Sequence, residues 1–326
     1  MRYVVYGAGA IGGILGGRLH LAGNPVTLIA RGEHLRAIQE HGLRLDTGHG
    51  ERVVTAPACN TAADVQWTED TVVLLSVKSQ QTAVALADLV AHAPSSVSVV
   101  AVQNGLANEP AILRHFANTY GMCVAMPAVH IEPGVVVERA MDAPAVLEIG
   151  RYPGGIDHVA QQVAADLSAA GLPAEPRENV MAWKRRKLMR NLNNGVDAVC
   201  APSDAARELS QRCQQEGQTV MQAAGFEMVT VEEDAQRRRG LMGQGRPGMA
   251  FHSSTWQSLS RGVGDIEIDY LSGEIVLQGR LHGVPTPANE LMVQVVNEVV
   301  RNGGAANSLD AQTLLDRLDA AALPMH

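Results

Sequence analysis

Residues Met1–Gly13 read MRYVVYGAGAIGG, a short apolar run, Tyr3–Tyr6, that leads into Gly7-Ala8-Gly9-Ala10-Ile11-Gly12 and then into a helix-forming stretch. A strand, a glycine turn and a helix N-terminus in that order form the arrangement that binds the pyrophosphate of a dinucleotide. The three glycines differ in their steric roles. Gly7 permits the tight turn, Gly9 lets a pyrophosphate approach the backbone, and Gly12 lets the helix pack close to the strand. The unpaired N–H groups and positive dipole end of that helix face the phosphates in such folds. Glycine turns also arise for steric reasons alone, so the competing reading is a turn without a ligand.

Working outward, residues 1–176 alternate β-branched runs with helical stretches, the pattern of a doubly wound parallel sheet. Strands are expected at Arg2–Tyr6, Val26–Ala30, Thr71–Val77, Val97–Val102 and Met122–Ala125, with helices at Ile11–Ala22, Gln80–Ala91 and Glu109–Ala117. Val135–Glu138 and Val146–Ile149 read as short strands that extend or edge the sheet, backed by a helix over Gly155–Ala170. Gly171–Pro176, with two prolines and a glycine, reads as the linker. Residues 177–326 then carry helical patterns at Asn179–Val199, Ala205–Ala224, Val231–Met242, Ser254–Ser260, Ile266–His282 and Ala288–Asn302. The expected architecture is therefore α/β: a Rossmann-type domain over 1–176 and an all-helical substrate domain over 177–326.

Length and composition agree with that division. A chain of 326 residues is about the size of two domains, and 46% hydrophobic with 18% charged residues describes a soluble globular protein. The net charge of -8 gives no electrostatic reason to expect nucleic acid. Apolar runs such as Val72–Leu75 are strand length, far short of a membrane span, and Gly7 interrupts the N-terminal run at once, so neither membrane nor secretory signal is expected and the cytoplasm is. Cys59, Cys123, Cys200 and Cys213 form no CxxC pair and read as buried thiols. His34, His41 and His49 lie in a polar, loop-like stretch without metal-ligand spacing, so no metal is expected.

Strand ends carry the next signals, because open α/β sheets bind ligands outside the carboxyl ends of their strands. The residue ending the second strand meets the adenosine ribose, where an acid selects NAD and an arginine accommodates a 2′-phosphate. Here it is Arg31, flanked by Ala30 and Gly32, which favours NADP(H); the alternative is an exposed loop arginine. Lys78 and Gln103-Asn104-Gly105 end two further strands. Lys78 could bind cofactor or substrate charge and Asn104 could donate a hydrogen bond, against the alternatives of a surface lysine and a plain Asn-Gly turn.

In the helical half, Lys187, Asn191 and Asn194 share one face at spacings of four and three, beside the apolar stripe Leu188, Leu192, Val196 and Val199. Lys187 thus borders the packed side, while Lys184 and Arg185 are expected to point elsewhere, into water. A lysine at such a border loses part of its solvation, which lowers its pKa and suits it to protonate a carbonyl oxygen. A basic solvated helix face is the competing reading. Further on, His252–Gln257 reads as a helix start capped by Ser253 or Ser254. Asp265–Tyr270 places carboxylates in an apolar-rich helix, with Glu267 pairing either with Lys187 or in a surface salt bridge. The Arg237–Gly248 stretch, rich in arginine and glycine but lacking aromatics, reads as a loop near the substrate rather than a nucleic-acid surface.

Taken in order, these pieces resemble the ketopantoate reductase (2-dehydropantoate 2-reductase) family, over nearly the whole chain. The matching residues are Gly7–Gly12, Arg31, Val77-Lys78, Gln103-Asn104-Gly105, Trp183 with Lys187-Leu188 and Asn191, Ser253-Ser254 with Gln257, and Glu267–Tyr270 with Gly273. The resemblance implies that Lys187 is the proton donor when NADPH reduces a 2-keto group. It implies that Asn104, Lys187, Asn191 and Ser254 hold the substrate, and that Lys78, Asn104 and Glu267 bind cofactor or orient lysine and substrate. Gly7, Ala8, Gly9, Ala10, Ile11, Gly12 and Arg31 would hold the dinucleotide. One departure stands out: family members commonly carry a second asparagine eight residues after the lysine, where this chain has Gly195, with Asn194 about 100° away around the helix.

The expected function is NADPH-dependent reduction of ketopantoate to pantoate, on the way to pantothenate and coenzyme A. The alternatives are an NADP-linked enzyme of another small 2-keto or 3-hydroxy acid, and a non-catalytic NADP(H) sensor. A helical second domain could also present a homodimer face.

Overall fold

The structure, a computed structural model, describes residues 1–141, 144–239, 245–246, 253–262 and 266–322. The opening apolar run is buried as β1 (Arg2–Tyr6), and α1 (Ala10–Leu21) returns the chain to β2 (Val26–Ile29), which pairs parallel to β1. There follow α2 (Gly32–His41), the hairpin β3 (Leu43–Thr47) and β4 (Gly50–Val54), and β5 (Ala58–Cys59). Next come β6 (Thr71–Leu75), α3 (Thr82–His92), β7 (Ser98–Ala101), α4 (Asn108–Leu113) and β8 (Thr119–Ala125). The last pieces of this half are β9 (Ala128–His130), β10 (Val135–Glu138), β11 (Val146–Arg151), α5 (His158–Ala169) and β12 (Ala174–Pro176).

Eight strands form one sheet in the order β12-β11-β8-β7-β6-β1-β2-β5, parallel at every neighbour except β8–β11. The chain leaves β1 in one direction toward β2 and returns on its other side at β6. The carboxyl ends of β1 and β6 are thus the switch point where such sheets bind ligands. A second sheet, β4-β3-β10-β9, covers the opposite face of α1. Added Cβ atoms measure how tightly α1 is held: one on Gly16 would come 2.7 Å from Leu28 Cδ2 in the first sheet, and one on Gly13 would come 2.9 Å from Val136 Cγ1 in the second. A helix buried on both sides has no polar face, which is why its small residues read as helical without amphipathic phase.

Several expectations change here. The polar stretch around His34, His41 and His49 is α2 and a hairpin, because Leu43 and Leu45 are buried while their neighbours face outward, a two-residue period hidden by polar composition. Val135–Glu138 belongs to the second sheet. Gly171–Pro176 is not a free linker: Ala174–Pro176 pairs with β11 as the edge strand β12, where a proline without an N–H is tolerated.

The helical half comprises α6 (Val180–Asn191), α7 (Asn193–Val199), α8 (Asp204–Ala223), α9 (Val231–Arg238), α10 (Ser254–Ser260), α11 (Ser272–His282), α12 (Pro287–Arg301) and α13 (Ala311–Ala322). The helix expected over Ile266–His282 is instead a tight turn at Ile268–Tyr270 followed by α11, the break falling at Leu271 with φ -111° and ψ -87°. Two compact units result: Met1–Lys184 with Val229–Met249, and Arg185–Met228 with Ala250–His326. The α9 helix therefore belongs to the first unit, held there by the buried ion pair of Arg237 with Glu148 of β11 at 2.9 Å. Burial pushes the Glu148 carboxyl up to about 7 even with Arg237 beside it.

No helix among the described residues is long and apolar enough to cross a membrane, and no three His, Cys, Asp or Glu side chains among them group as metal ligands. The four cysteines are free thiols, three of them buried and Cys59 half-buried. Residues 240–244 and 247–252, which include most of the arginine- and glycine-rich stretch and His252, and 263–265, which include Asp265, lie outside the described residues.

Candidate active site

The glycine turn divides its steric roles as its spacing suggests. Gly7 has φ +102°, and a Cβ there would stand 2.8 Å from the Val77 nitrogen. The N–H groups of Gly7 and Ala8 both donate to the Ile29 carbonyl, at 3.0 and 2.9 Å, and Ser76 Oγ donates to the Gly7 carbonyl at 2.9 Å. A Cβ on Gly12 would collide with Ser76 Oγ and the Gly7 carbonyl and come 2.9 Å from Val5 Cγ1. At Gly9, the cap residue of α1, nothing lies within 4 Å of the same point. Gly9 therefore leaves open space where a side chain would otherwise project. Beside it, Ala10, Ile11 and Gly12 begin a helix whose first N–H groups lack intrahelical partners and whose first turn carries no acid. These residues fit a dinucleotide pyrophosphate.

His34 supports the turn from α2. Its Nδ1 accepts the Gly134 N–H at 2.8 Å, so the ring proton sits on Nε2 and donates to the Ala8 carbonyl at 2.7 Å. Its ring lies against that of His130, with centroids 4.2 Å apart. Burial holds the His34 pKa below the ordinary imidazole range. Arg31 is exposed at the start of α2.

At the neighbouring strand ends, half-buried Lys78 precedes the tight turn Ser79–Gln81. Half-buried Asn104 precedes Gly105, whose φ of +78° turns the chain away from β7. The two ends are tied together: the Asn104 carbonyl accepts from Ser79 Oγ at 3.4 Å and from Asn108 Nδ2 at 3.2 Å. Gln103 Nε2 donates to Thr82 Oγ1 at 2.7 Å, and Thr82 Oγ1 donates to Asn108 Oδ1 at 2.8 Å.

Lys184 completes this network, against expectation. It is buried, ion-paired with fully buried Glu109, and its Nζ donates to the Gln103 carbonyl at 3.0 Å. The helix phase carried the signal: Lys184 precedes Leu188 and Leu192 at spacings of four, on the buried stripe itself. Arg185 is not simply solvated either. Its guanidinium stacks 4.6 Å from the Phe226 ring centroid and donates to the Glu227 carbonyl at 3.0 Å.

In the second unit, Leu188, Leu192, Val196 and Val199 are buried as the stripe predicts, and Lys187 and Asn191 are half-buried one turn apart on α6. Leu192 separates α6 from α7 but keeps helical dihedrals, and its N–H still reaches the Leu188 carbonyl at 3.1 Å. Gly195 faces the core: a Cβ there would lie 3.0 Å from Ile268 Cδ1 and 3.4 Å from Met292 Cε. A side chain at 195 would have to push aside the ends of the Ile268 and Met292 side chains, whereas half-buried Asn194 leaves that packing alone.

Ser253 caps α10 by accepting the Trp256 N–H at 3.1 Å, and Ser254 is the exposed first residue of the helix. Asp197, which no sequence pattern singles out, accepts the Ser253 N–H at 2.9 Å, while Ser253 Oγ reaches the Asn194 carbonyl at 3.4 Å. Glu267 is half-buried immediately before the Ile268–Tyr270 turn. Asp197–Ser253 and Lys184–Glu109 join residues 56 and 75 positions apart. No local pattern announces either pairing.

Comparisons with known proteins cover nearly the whole chain. The profile of the ketopantoate reductase PanE/ApbA family matches residues 3–154, and that of its C-terminal domain matches residues 179–300. The chain is 29% identical to a 2-dehydropantoate 2-reductase of Pyrococcus horikoshii, covering 94% of this chain and 100% of that one. It is likewise 29% identical to that of Halobacterium salinarum, over 93% of this chain and 100% of the relative. Among solved structures, a PanE/ApbA family ketopantoate reductase from Ralstonia eutropha JMP134 superposes with TM-score 0.78 at 29% identity, covering 93% of this chain and 99% of that one. D-mandelate dehydrogenase, in a ternary structure with NADH and anilino(oxo)acetate, superposes with TM-score 0.79 at 25% identity over the same shares. With both profiles matched in order along one chain, this protein belongs to the ketopantoate reductase PanE/ApbA family.

Proposed function

We propose that the chain reduces ketopantoate to pantoate with NADPH, working in the cytoplasm on the path to pantothenate. The observation that carries this reading is Lys187, half-buried on α6 one turn before Asn191 and against the buried Leu188–Leu192 stripe. When bound, the nicotinamide supplies a hydride to the carbonyl carbon. Lys187 stabilises the charge that builds on the carbonyl oxygen and delivers the proton to it. Asn191 steers the same oxygen, and Ser254 and Asn104 hold the substrate's polar groups. Gly7–Gly12 binds the pyrophosphate, and Arg31 takes the 2′-phosphate that NADH lacks. Lys78 and Glu267 orient cofactor, lysine and substrate. In this reading the first unit holds the dinucleotide and the second supplies the proton.

A second reading, reduction of another 2-keto acid, is favoured by one observation. Gly195 packs against Ile268, so a substrate hydrogen bond available to relatives from that position has to come from elsewhere, with Asn194 the nearest amide in sequence. The similarity to D-mandelate dehydrogenase fits that alternative. Initial rates with NADPH across ketopantoate and other branched and aryl 2-keto acids separate the two. The highest kcat/KM is expected for ketopantoate. Absent turnover of ketopantoate beside clear turnover of another acid would establish the second reading, and NADPH binding without turnover on any of them would leave a sensor.

A further inference from the structure

Ser79, Thr82, Gln103 and Asn108 are buried polar side chains around the carboxyl ends of β6 and β7, and the proposed reaction uses none of them. Asn108, the first residue of α4, is their centre. Its Nδ2 donates to the Asn104 carbonyl at 3.2 Å and to Ser79 Oγ at 3.1 Å, and its Oδ1 accepts from Thr82 Oγ1 at 2.8 Å. Chemistry fixes the direction of each bond. The Asn104 carbonyl can only accept, so Asn108 turns its nitrogen there and its oxygen toward Thr82. The single Thr82 hydroxyl proton goes to that oxygen, so Thr82 meets Gln103 Nε2, at 2.7 Å, as the acceptor. Ser79 Oγ, accepting from Asn108, keeps its own proton for the Asn104 carbonyl at 3.4 Å. Reversing the Asn108 amide would set one buried acceptor against another.

This one amide joins the chain at two strand ends. Asn104 lies beyond the end of β7, ahead of the positive-φ turn at Gly105, and Lys78 immediately precedes Ser79. The Gln103 carbonyl is fixed separately, by Lys184 Nζ at 3.0 Å. We infer that Asn108, held in orientation by Thr82, is a positioning residue that sets Asn104 and Lys78 relative to one another for substrate and nicotinamide. The inference rests on the roles given to Asn104 and Lys78 above. Polar groups placed before the ligand arrives spare the cost of ordering them during binding and reaction. Ser79, Thr82, Gln103 and Asn108 are all neutral, so the network stiffens the two ends without adding charge to the site. It does not include Gly7–Gly12 or Arg31, so loosening it is expected to spare the grip on the adenosine half of the coenzyme.

The test pairs kcat/KM for ketopantoate with calorimetric dissociation constants for 2′-phospho-ADP-ribose, which carries all of NADPH but its nicotinamide. Thr82→Val removes the donor that orients Asn108 while keeping the side chain's shape. It is expected to lower kcat/KM about tenfold and to leave binding of the fragment unchanged within about twofold. Thr82→Ser keeps the hydroxyl and is expected to stay within about twofold of the parent in both. In an Asn104→Ala background Thr82→Val should cost less than in the parent, because one of the two groups it orients is gone. A purely structural loss would cost the same in both backgrounds. Where Thr82→Val melts too low to assay, Asn108→Ala, which removes the amide and leaves Thr82 in place, is expected to show the same split. An unchanged kcat/KM beside a damaging Asn104→Ala, an equal loss in both backgrounds, or fragment binding weakened as much as kcat/KM would overturn the positioning role. Asn104→Ala and Lys78→Ala both as active as the parent would instead overturn the roles on which it rests.

Discussion

At Gly7–Gly12 the first unit presents backbone: open space at Gly9, the first N–H groups of α1, and a turn pinned by Ser76, Ile29 and His34. Along Lys187–Val199 the second unit presents side chains, with Lys187 and Asn191 half-buried over a packed stripe and Asp197 fixing the start of α10. At Gly7 and Gly12 the turn tolerates almost no change because its atoms already touch, whereas the helix could carry different polar groups on the same scaffold. Binding a constant dinucleotide needs the first kind of construction. In the proposed reaction, recognising one keto acid among many needs the second.

The sharpest way to break this comparison is at Lys184, which shares α6 with Lys187 but belongs to the buried network of the first unit. Lys184→Met leaves Glu109 charged and buried without its partner, and is expected to cost about 3–5 kcal/mol of stability. Replacing Glu109 with leucine in the same chain should recover part of that loss, because an apolar pair replaces an ion pair better than half of one does. Denaturant unfolding reads both, and a Lys184→Met variant as stable as the parent would mean the pair is solvated.

Next in size is the contrast between two glycines. Gly12→Ala forces a methyl against Ser76 Oγ and the Gly7 carbonyl, with an expected cost of about 1–3 kcal/mol. Gly9→Ala places its methyl in open space at an ordinary φ of -72°, so the melting temperature should hardly move. Its effect should appear in dinucleotide binding, weakened by about tenfold or more, worth ~1.4 kcal/mol. A Gly9→Ala protein that binds NADPH normally would mean that the pyrophosphate does not approach the backbone at Gly9.

The smallest expected effect is one of pH. His34 is neutral in the fold, with its pKa below the ordinary value near 6.5. The unfolded chain therefore binds the extra proton first, and His34's contribution is complete above that value and lost as pH falls through it. His34→Gln keeps a donor for Ala8 and an acceptor for Gly134 but cannot titrate. Its melting temperature should fall less than the parent's between about pH 7.5 and about pH 5.5, and equal slopes would contradict the neutral-histidine assignment.

The two regions also differ in how much of them is legible in sequence. The turn is legible because its constraints are local: three glycines at fixed offsets, a strand before and a helix after. The buried stripe of α6 and α7 is legible for the same reason, through its period. Lys184 is easily misplaced because its charge outweighs its phase, and it takes distant partners, Glu109 and the Gln103 carbonyl, to make burial of that charge tolerable. The β3–β4 hairpin escapes because alternation of Leu43 and Leu45 with polar residues spans only a few positions. The α13 helix escapes although Asp310 caps it, accepting the Thr313 N–H at 3.0 Å, and Leu314, Leu315 and Leu318 are buried along it. The place of β12 in the sheet depends on pairing with β11, which Gly171 and two prolines conceal.

In the proposed reaction Lys187 gives the proton and the first unit's turn binds the coenzyme independently of it. Lys187→Ala tests this most directly, by measuring kcat with ketopantoate alongside the dissociation constant for NADPH. The expected result is a fall in kcat of about a hundredfold or more with NADPH affinity unchanged within about twofold. An unaltered kcat, or a loss of NADPH binding as large as the loss of rate, would contradict it.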